Sequence, residues 1–155
     1  MPDPLPPSGC FDAARHLYAV RVYFEDTDLS GVVYHANYLR WFERARSDML
    51  RLIGIDQRAA QEAGEGAFAV TDLALKYLRP ARLDDDVVIE STVSEVTRVT
   101  CSLAQKAWRG ADLLAEGRVR VAFVAPLGRA RRLPAQFHSA FTALLAPPPE
   151  GFVHP

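Results

Sequence analysis

The chain has 155 residues, 49% of them hydrophobic, enough for one domain that buries roughly 70% of the surface its unfolded form exposes. Its 18 lysines and arginines nearly balance 19 aspartates and glutamates, so no net field draws it to nucleic acid or to an anionic membrane. Cys10 and Cys101 are too few for a disulfide framework, the opening MPDPLPPSGC lacks the features of a secretory leader, and no apolar run approaches the ~20 residues of a membrane span; these predict a cytoplasmic protein.

Eight of the eleven prolines fall in the first seven or last nine residues, which sets proline-rich tails at 1–15 and 146–155 around a domain over 16–145. From His16 to Phe24, Val20, Val22 and Phe24 alternate with Arg21 and Tyr23 at the period of a half-buried strand. The period then changes: Tyr38, Trp41, Phe42, Ala45, Met49, Leu52 and Ile53 recur three or four residues apart, predicting an amphipathic helix with Asn37 as N-cap and Gly54 past its end. After a polar segment, residues 67–79, 86–98, 101–109 and 112–125 read as long strands. In the last, Leu113, Ala115, Gly117, Val119, Val121 and Phe123 are expected on one face, opposite Asp112, Glu116, Arg118 and Arg120. A short helix over 135–145 closes an α+β domain in which a curved antiparallel sheet of about five strands covers the long helix.

The connection from the first strand to that helix reads EDTDLSGVVYHANY and packs Glu25, Asp26 and Asp28 into four residues. Like charges this close repel, so stability alone gives no reason for them. One reading is a solvated connection whose charge favours the helix N-terminus. A calcium loop starting at Asp26 matches DTDLSG but fails at its twelfth position, Asn37, where a bidentate glutamate is needed. A third reading is catalytic: a carboxylate beside a helix start faces amides that can polarise a carbonyl oxygen while the carboxylate attacks it or activates water. His35 adds a group able to exchange protons near neutral pH, although a histidine at a helix entrance also serves in packing.

The run VRVYFEDTDLSGVVYHANYLRWFERAR resembles the entry motif of the hot-dog-fold acyl-CoA thioesterases, in the branch containing 4-hydroxybenzoyl-CoA thioesterase and the Tol-Pal-associated acyl-CoA thioesterases. The later LKYLRPARLDDDVVIES resembles that family's next strand and turn, and the likeness covers residues 16–135. It implies a hot-dog fold, with the catalytic carboxylate on Asp28, the motif histidine on His35, and the oxyanion donors on the backbone amides of His35 and Ala36. Gly31, Val33, Tyr34, Asn37, Tyr38 and Trp41 then contact substrate, with Phe68 a further lining candidate. Glu25 and Asp26 become supporting acids.

A thioester carbonyl is already electrophilic and a thiolate with a pKa near ~8.5 leaves readily, so attack and oxyanion stabilisation suffice. Asp28 serves as nucleophile through a mixed anhydride or as general base for water. The resemblance calls for no metal and no cofactor beyond the coenzyme A carried by the substrate. No phosphate-cradling glycine motif is present, so arginines must meet coenzyme A: Arg79, Arg82, Arg98 and Arg131, with Arg129 and Arg132 beside the last. The family assembles as dimers with joined sheets and as tetramers, with sites at the subunit interface; an acyl carrier protein is a candidate further partner. The alternative is a non-enzymatic module that binds acyl-CoA or acyl carrier protein for the cell-envelope Tol-Pal machinery, against which the carboxylate of Asp28 argues. A hydratase or dehydratase on the same fold would need its acid and histidine placed for carbon chemistry rather than in this helix-entry motif.

Overall fold

Four runs of alternating apolar and polar residues form β3 (Ala67–Tyr77), β4 (Asp86–Val96), β5 (Thr100–Arg109) and β6 (Asp112–Val124). The computed structural model describes residues 1–145. With β1 (Cys10–Asp12) and β2 (Arg15–Arg21), these strands make one antiparallel sheet in the order β1-β2-β4-β5-β6-β3. The sheet has six strands, not about five, because Cys10–Asp12, inside the expected tail, pairs with β2. The tail expected at 146–155 lies outside the described residues.

The long helix α1 spans Asn37–Leu52 and buries Tyr38, Trp41, Phe42, Ala45 and Met49 on the face its periodicity predicts. Leu52, expected in that core, is 42% exposed, and Leu50 is buried instead. Gly54 sits at φ 85° and ends the helix: its amide donates to Arg51 O (3.2 Å) and that of Ile55 to Leu50 O (2.9 Å), the paired bonds of a left-handed C-cap. A six-residue helix, α2 (Gln57–Glu62), was not anticipated; Ala60 is its one buried residue, which leaves no apolar period to read, although Asp56 caps it by accepting from Ala59 N (2.9 Å).

Gly117 lets α1 lie close to the sheet, since a Cβ there would stand 2.9 Å from Ala74 O and 3.4 Å from Phe42 Cε2. Two buried polar connections fix the helix laterally. Gln105, 1% exposed, donates to Phe42 O (3.0 Å) and Ser91 Oγ (2.9 Å) and accepts from Arg46 (2.9 Å); His16, fully buried on β2, meets Asp48 at 2.7 Å. At the end of β6, Phe123 packs with Phe68 of β3 and with Phe137 of the terminal helix α3 (Ala135–Ala143), at centroid separations of 5.4 and 5.9 Å. The simple alternation expected in β6 is broken. Ala115, Val119 and Phe123 are buried as expected, but Leu114 is buried in place of Leu113, because the β5–β6 register shifts between Ala107 and Trp108; Ala122 is buried as well.

Candidate active site

The sheet and helix meet at the acidic connection, and Asp26 holds it together. The strand expected to run to Phe24 stops at Arg21; the chain then makes a 3-10 turn over Phe24–Asp26 that leaves Phe24 83% exposed. Asp26 Oδ2 accepts from Tyr23 N (2.8 Å), its Oδ1 from Asn37 Nδ2 (2.9 Å), and its carbonyl from Tyr34 N (2.9 Å). Asn37 is therefore not the N-cap: it is the first helical residue, buried, with its amide committed to Asp26, while Ala36 occupies the N-cap position without a side-chain cap.

Asp28 begins a tight reversal. Gly31 N donates to Asp28 O (3.1 Å), Asp28 N donates to Val32 O (2.9 Å), and Thr27 bridges to Val33. Gly31 takes φ 81°, which explains a glycine here: a left-handed residue must close this short hairpin. The exposed Asp28 carboxylate accepts from Ser30 Oγ (2.5 Å) and Ser30 N (2.8 Å), both on Oδ1, and Oδ2 has no hydrogen bond among the described residues. Those two donations, the hydroxyl's first, hold the Asp28 carboxyl below its ordinary range. It is ionised at neutral pH with one oxygen free.

At the entrance of α1 the helical ladder is incomplete. Asn37 N donates to Tyr34 O (2.8 Å) and Leu39 N to Ala36 O (3.1 Å), both three-residue bonds, so His35 O is passed over. Among the described residues the amides of His35 and Ala36 have no acceptor, whereas those of Val33 and Tyr34 just before them are bonded. The passed-over carbonyl instead accepts from Tyr77 Oη (2.6 Å). The exposed His35 ring lies against Tyr34 (4.5 Å between centroids) and edge-on to Tyr77 (6.3 Å), without a hydrogen bond to Asp28. Val33, His35, Tyr38, Tyr77, Leu78, Arg79 and Pro80 line an open cavity of about 280 Å³ beside these amides. Two free amides at a helix start beside an apolar cavity can stabilise an oxyanion, and the anionic carboxylate of Asp28, on the same connection but not lining that cavity, can attack a carbonyl carbon.

The remaining sequence-derived candidates separate. Trp41 is buried against Tyr38 (5.1 Å between centroids), and Phe68 lines a different cavity of about 230 Å³ with Met49, Leu50, Cys101 and Phe141, so Tyr38, Trp41 and Phe68 do not share one pocket. Burial pushes the Cys101 thiol up to about 12, which makes it inert. Arg79 lines the site cavity and pairs with Asp112 (2.7 Å), and Arg82 bridges through its backbone to Val32 on the Asp28 hairpin. Arg98 and Arg131 are at the other end of the sheet: Arg98 O accepts from Leu133 N (2.8 Å), and Arg131 is bonded to the carbonyls of Gly64 and Glu65. Nothing in the sequence marks Tyr77 or Ser30 as a site residue. Tyr77 stands in LKYLRP, where strand alternation hides any polar task, and Ser30 two residues after an aspartate is a turn signal that carries no catalytic meaning by itself.

Residues 30–116 match the family model described as Thioesterase superfamily, a stretch that opens two residues past Asp28 and includes His35 and Tyr77. The acyl-CoA thioesterase YbgC of Haemophilus influenzae is 41% identical over 126 residues, covering 78% of this chain and 93% of its own. This chain belongs to the thioesterase superfamily. The acyl-CoA thioester hydrolase YbgC of Escherichia coli O6:H1 is 39% identical over 126 residues, covering 80% of this chain and 93% of that protein. A probable thioesterase from Bartonella henselae has a solved structure that superposes with a TM-score of 0.74 at 36% identity, over 77% of this chain and 99% of that one. The hot-dog fold and a thioester hydrolase, both expected from the entry motif, stand on these likenesses. Among the described residues no helix is long and apolar enough to cross a membrane.

Proposed function

We propose that this thioesterase hydrolyses acyl-CoA to free acid and coenzyme A, with Asp28 as the reacting carboxylate and the amides of His35 and Ala36 as oxyanion donors. The observation that carries the proposal is the pair of adjacent amides that have no acceptor among the described residues at the helix entrance, on the same short connection as an exposed, ionised carboxylate. Attack at the thioester carbon places negative charge on the carbonyl oxygen, where each donor is worth on the order of 3 kcal/mol. Collapse expels the coenzyme A thiolate. If Asp28 attacks directly, water then cleaves the mixed anhydride and restores the carboxylate; if it acts on water, the acid forms in one displacement. His35 orients the entrance through its tilted contact with Tyr34 and its edge-on contact with Tyr77 and offers a proton-exchange group beside the leaving sulfur. The two YbgC relatives are a thioesterase and a thioester hydrolase, which lends the binding-module alternative no support.

The site is open on one side in the single chain, and a second copy is proposed to close it. β3 is an eleven-residue edge strand whose Val70, Leu73 and Tyr77 are each roughly half exposed, whereas the opposite edge, β1, has three residues. A long apolar edge is a liability unless paired, so two chains joining β3 to β3 would satisfy it, with a tetramer as the next level. Arg79 and Arg82 would then meet coenzyme A phosphates from the catalytic subunit. β4, eleven residues at ~3.3 Å each, separates them from Arg98 and Arg131, which serve only if another subunit presents them. An acyl carrier protein as alternative donor of the acyl group, and a cytoplasmic location, belong to the same proposal.

The test is thiol release from acetyl-, hexanoyl-, palmitoyl- and benzoyl-CoA by the wild-type protein and by Asp28→Asn. Hydrolysis of at least one by the former, and its loss in the latter, is expected; no turnover on any member would favour a binding module. Light scattering should return a multiple of the 17.2 kDa chain, and a monomer at micromolar concentration would sink the shared-edge proposal.

A further inference from the structure

We infer that Tyr77 is a positioning residue for catalysis: by donating its hydroxyl to the His35 carbonyl (2.6 Å), it fixes and polarises the peptide whose other end, the Ala36 N–H, is one of the two free amides at the helix entrance. The inference rests on the reading of those amides as oxyanion donors. The peptide is planar and trans, so its carbonyl and its N–H point in opposite directions. A donor clamped on the oxygen therefore sets the direction in which the N–H points. It also draws electron density toward the carbonyl, and hydrogen bonds arranged in such a chain strengthen one another by roughly 10–30% each.

Three observations show that this peptide needs an external clamp. The helix does not supply one, because Leu39 N bonds to Ala36 O rather than to His35 O. No side chain caps the helix start, with Ala36 in the N-cap position. Tyr77 comes from the end of β3, forty-two residues along the chain, and its ring is seated edge-on against both His35 (6.3 Å) and Tyr38 (5.5 Å). The hydroxyl is thus delivered by a sheet strand rather than by a mobile loop, and the hydrogen bond links sheet to helix where the reacting oxygen must be held.

The experiment is Tyr77→Phe in the full chain, which keeps the ring packing and removes only the donor. With the acyl-CoA that the wild type hydrolyses fastest, kcat should fall about tenfold while KM stays within about twofold, since the loss falls on the transition state and not on the bound substrate. In protein labelled with 15N-alanine, the Ala36 amide resonance should move, and the melting temperature should not. Unchanged kcat, or a KM increase with kcat intact, overturns the inference. Asp28→Asn run in parallel separates the two failures: if it abolishes turnover while Tyr77→Phe does not change kcat, only the positioning role falls, and if it retains turnover, the site reading and the positioning role fall together.

Discussion

The packed far end of the sheet and the acidic connection at the site end are held by different forces. At the far end Phe68 and Phe123 interlock with Phe137 and Phe141 of α3, with Phe123 and Phe141 each 1% exposed. At the site end the apolar residues Phe24, Leu29 and Tyr34 face outward, and the backbone is held by hydrogen bonds to Asp26, by the glycine-closed hairpin at Asp28 and by Tyr77. The far end is organised by burial, which is non-directional and sums into stability; at the site end Val22, Val33, Tyr38, Trp41 and Ala81 are buried too, but the acidic connection above them is placed by directed polar contacts, which contribute little net free energy. Stability and activity should therefore be separable by residue.

The largest expected effect is on the packed end. Phe123→Ala should lower unfolding stability by about 3–5 kcal/mol, because the ring is fully enclosed and its aromatic neighbours cannot collapse into the space. Denaturant unfolding measures this loss, and turnover per folded molecule should not change. A variant that lost activity in proportion to its stability would show that the two ends are coupled.

Next in size is the loss of the site carboxylate. Asp28→Asn should reduce turnover at least ~10²-fold, since the amide can still accept from Ser30 but can neither attack nor take a proton from water. Thermal melts should show little or no destabilisation, because the group is exposed and two neighbouring acids lose a repulsive partner. Glu25→Gln is the control, being also exposed and without a side-chain hydrogen bond among the described residues; its turnover should stay near wild type. Equal losses in the two variants would mean that the acidic field matters, and not the Asp28 carboxylate.

Legibility in the sequence follows the same division. The packed elements were readable, because burial writes periodicity: α1 starts one residue before the position expected from an Asn37 cap, and the four long strands agree to within two residues at each end. What failed to show were pieces too short or too polar to carry a period, namely β1 and α2, and the β6 residues beyond the register shift. At the proposed site, Asp28, His35 and Ala36 were singled out through a motif resemblance and not through periodicity. Tyr77 was hidden for a reason specific to hydrogen bonding: its partner is a backbone carbonyl, which any residue would present, so nothing at position 35 announces the contact. Asn37 misled because an asparagine before a helix is normally a cap, whereas here Asp26 competes for its side chain.

The smallest expected effect is also the one that reports most directly on Asp28. Ser30 donates both its hydroxyl and its amide to Oδ1, and these contacts depress the carboxyl in the folded protein. A depressed carboxyl stays ionised as pH falls past the ordinary aspartate range, so the acidic limb of kcat/KM should lie below the ~3.9 of a free aspartate, and whatever stability the contact contributes is present above that value and lost as pH falls through the folded pKa. Ser30→Ala removes the hydroxyl, the larger of the two causes, and leaves the amide. The acidic limb should then move to higher pH. At neutral pH Asp28 remains ionised in both proteins, and its less stabilised carboxylate is the stronger base and nucleophile, so kcat should hold or rise by no more than about a few-fold. Rate profiles in pH for the two proteins make the comparison. If the acidic limb is the same in both, the ionisation it reports belongs to some group other than Asp28, and the carboxylate in this hairpin is a turn-former and not the reacting group.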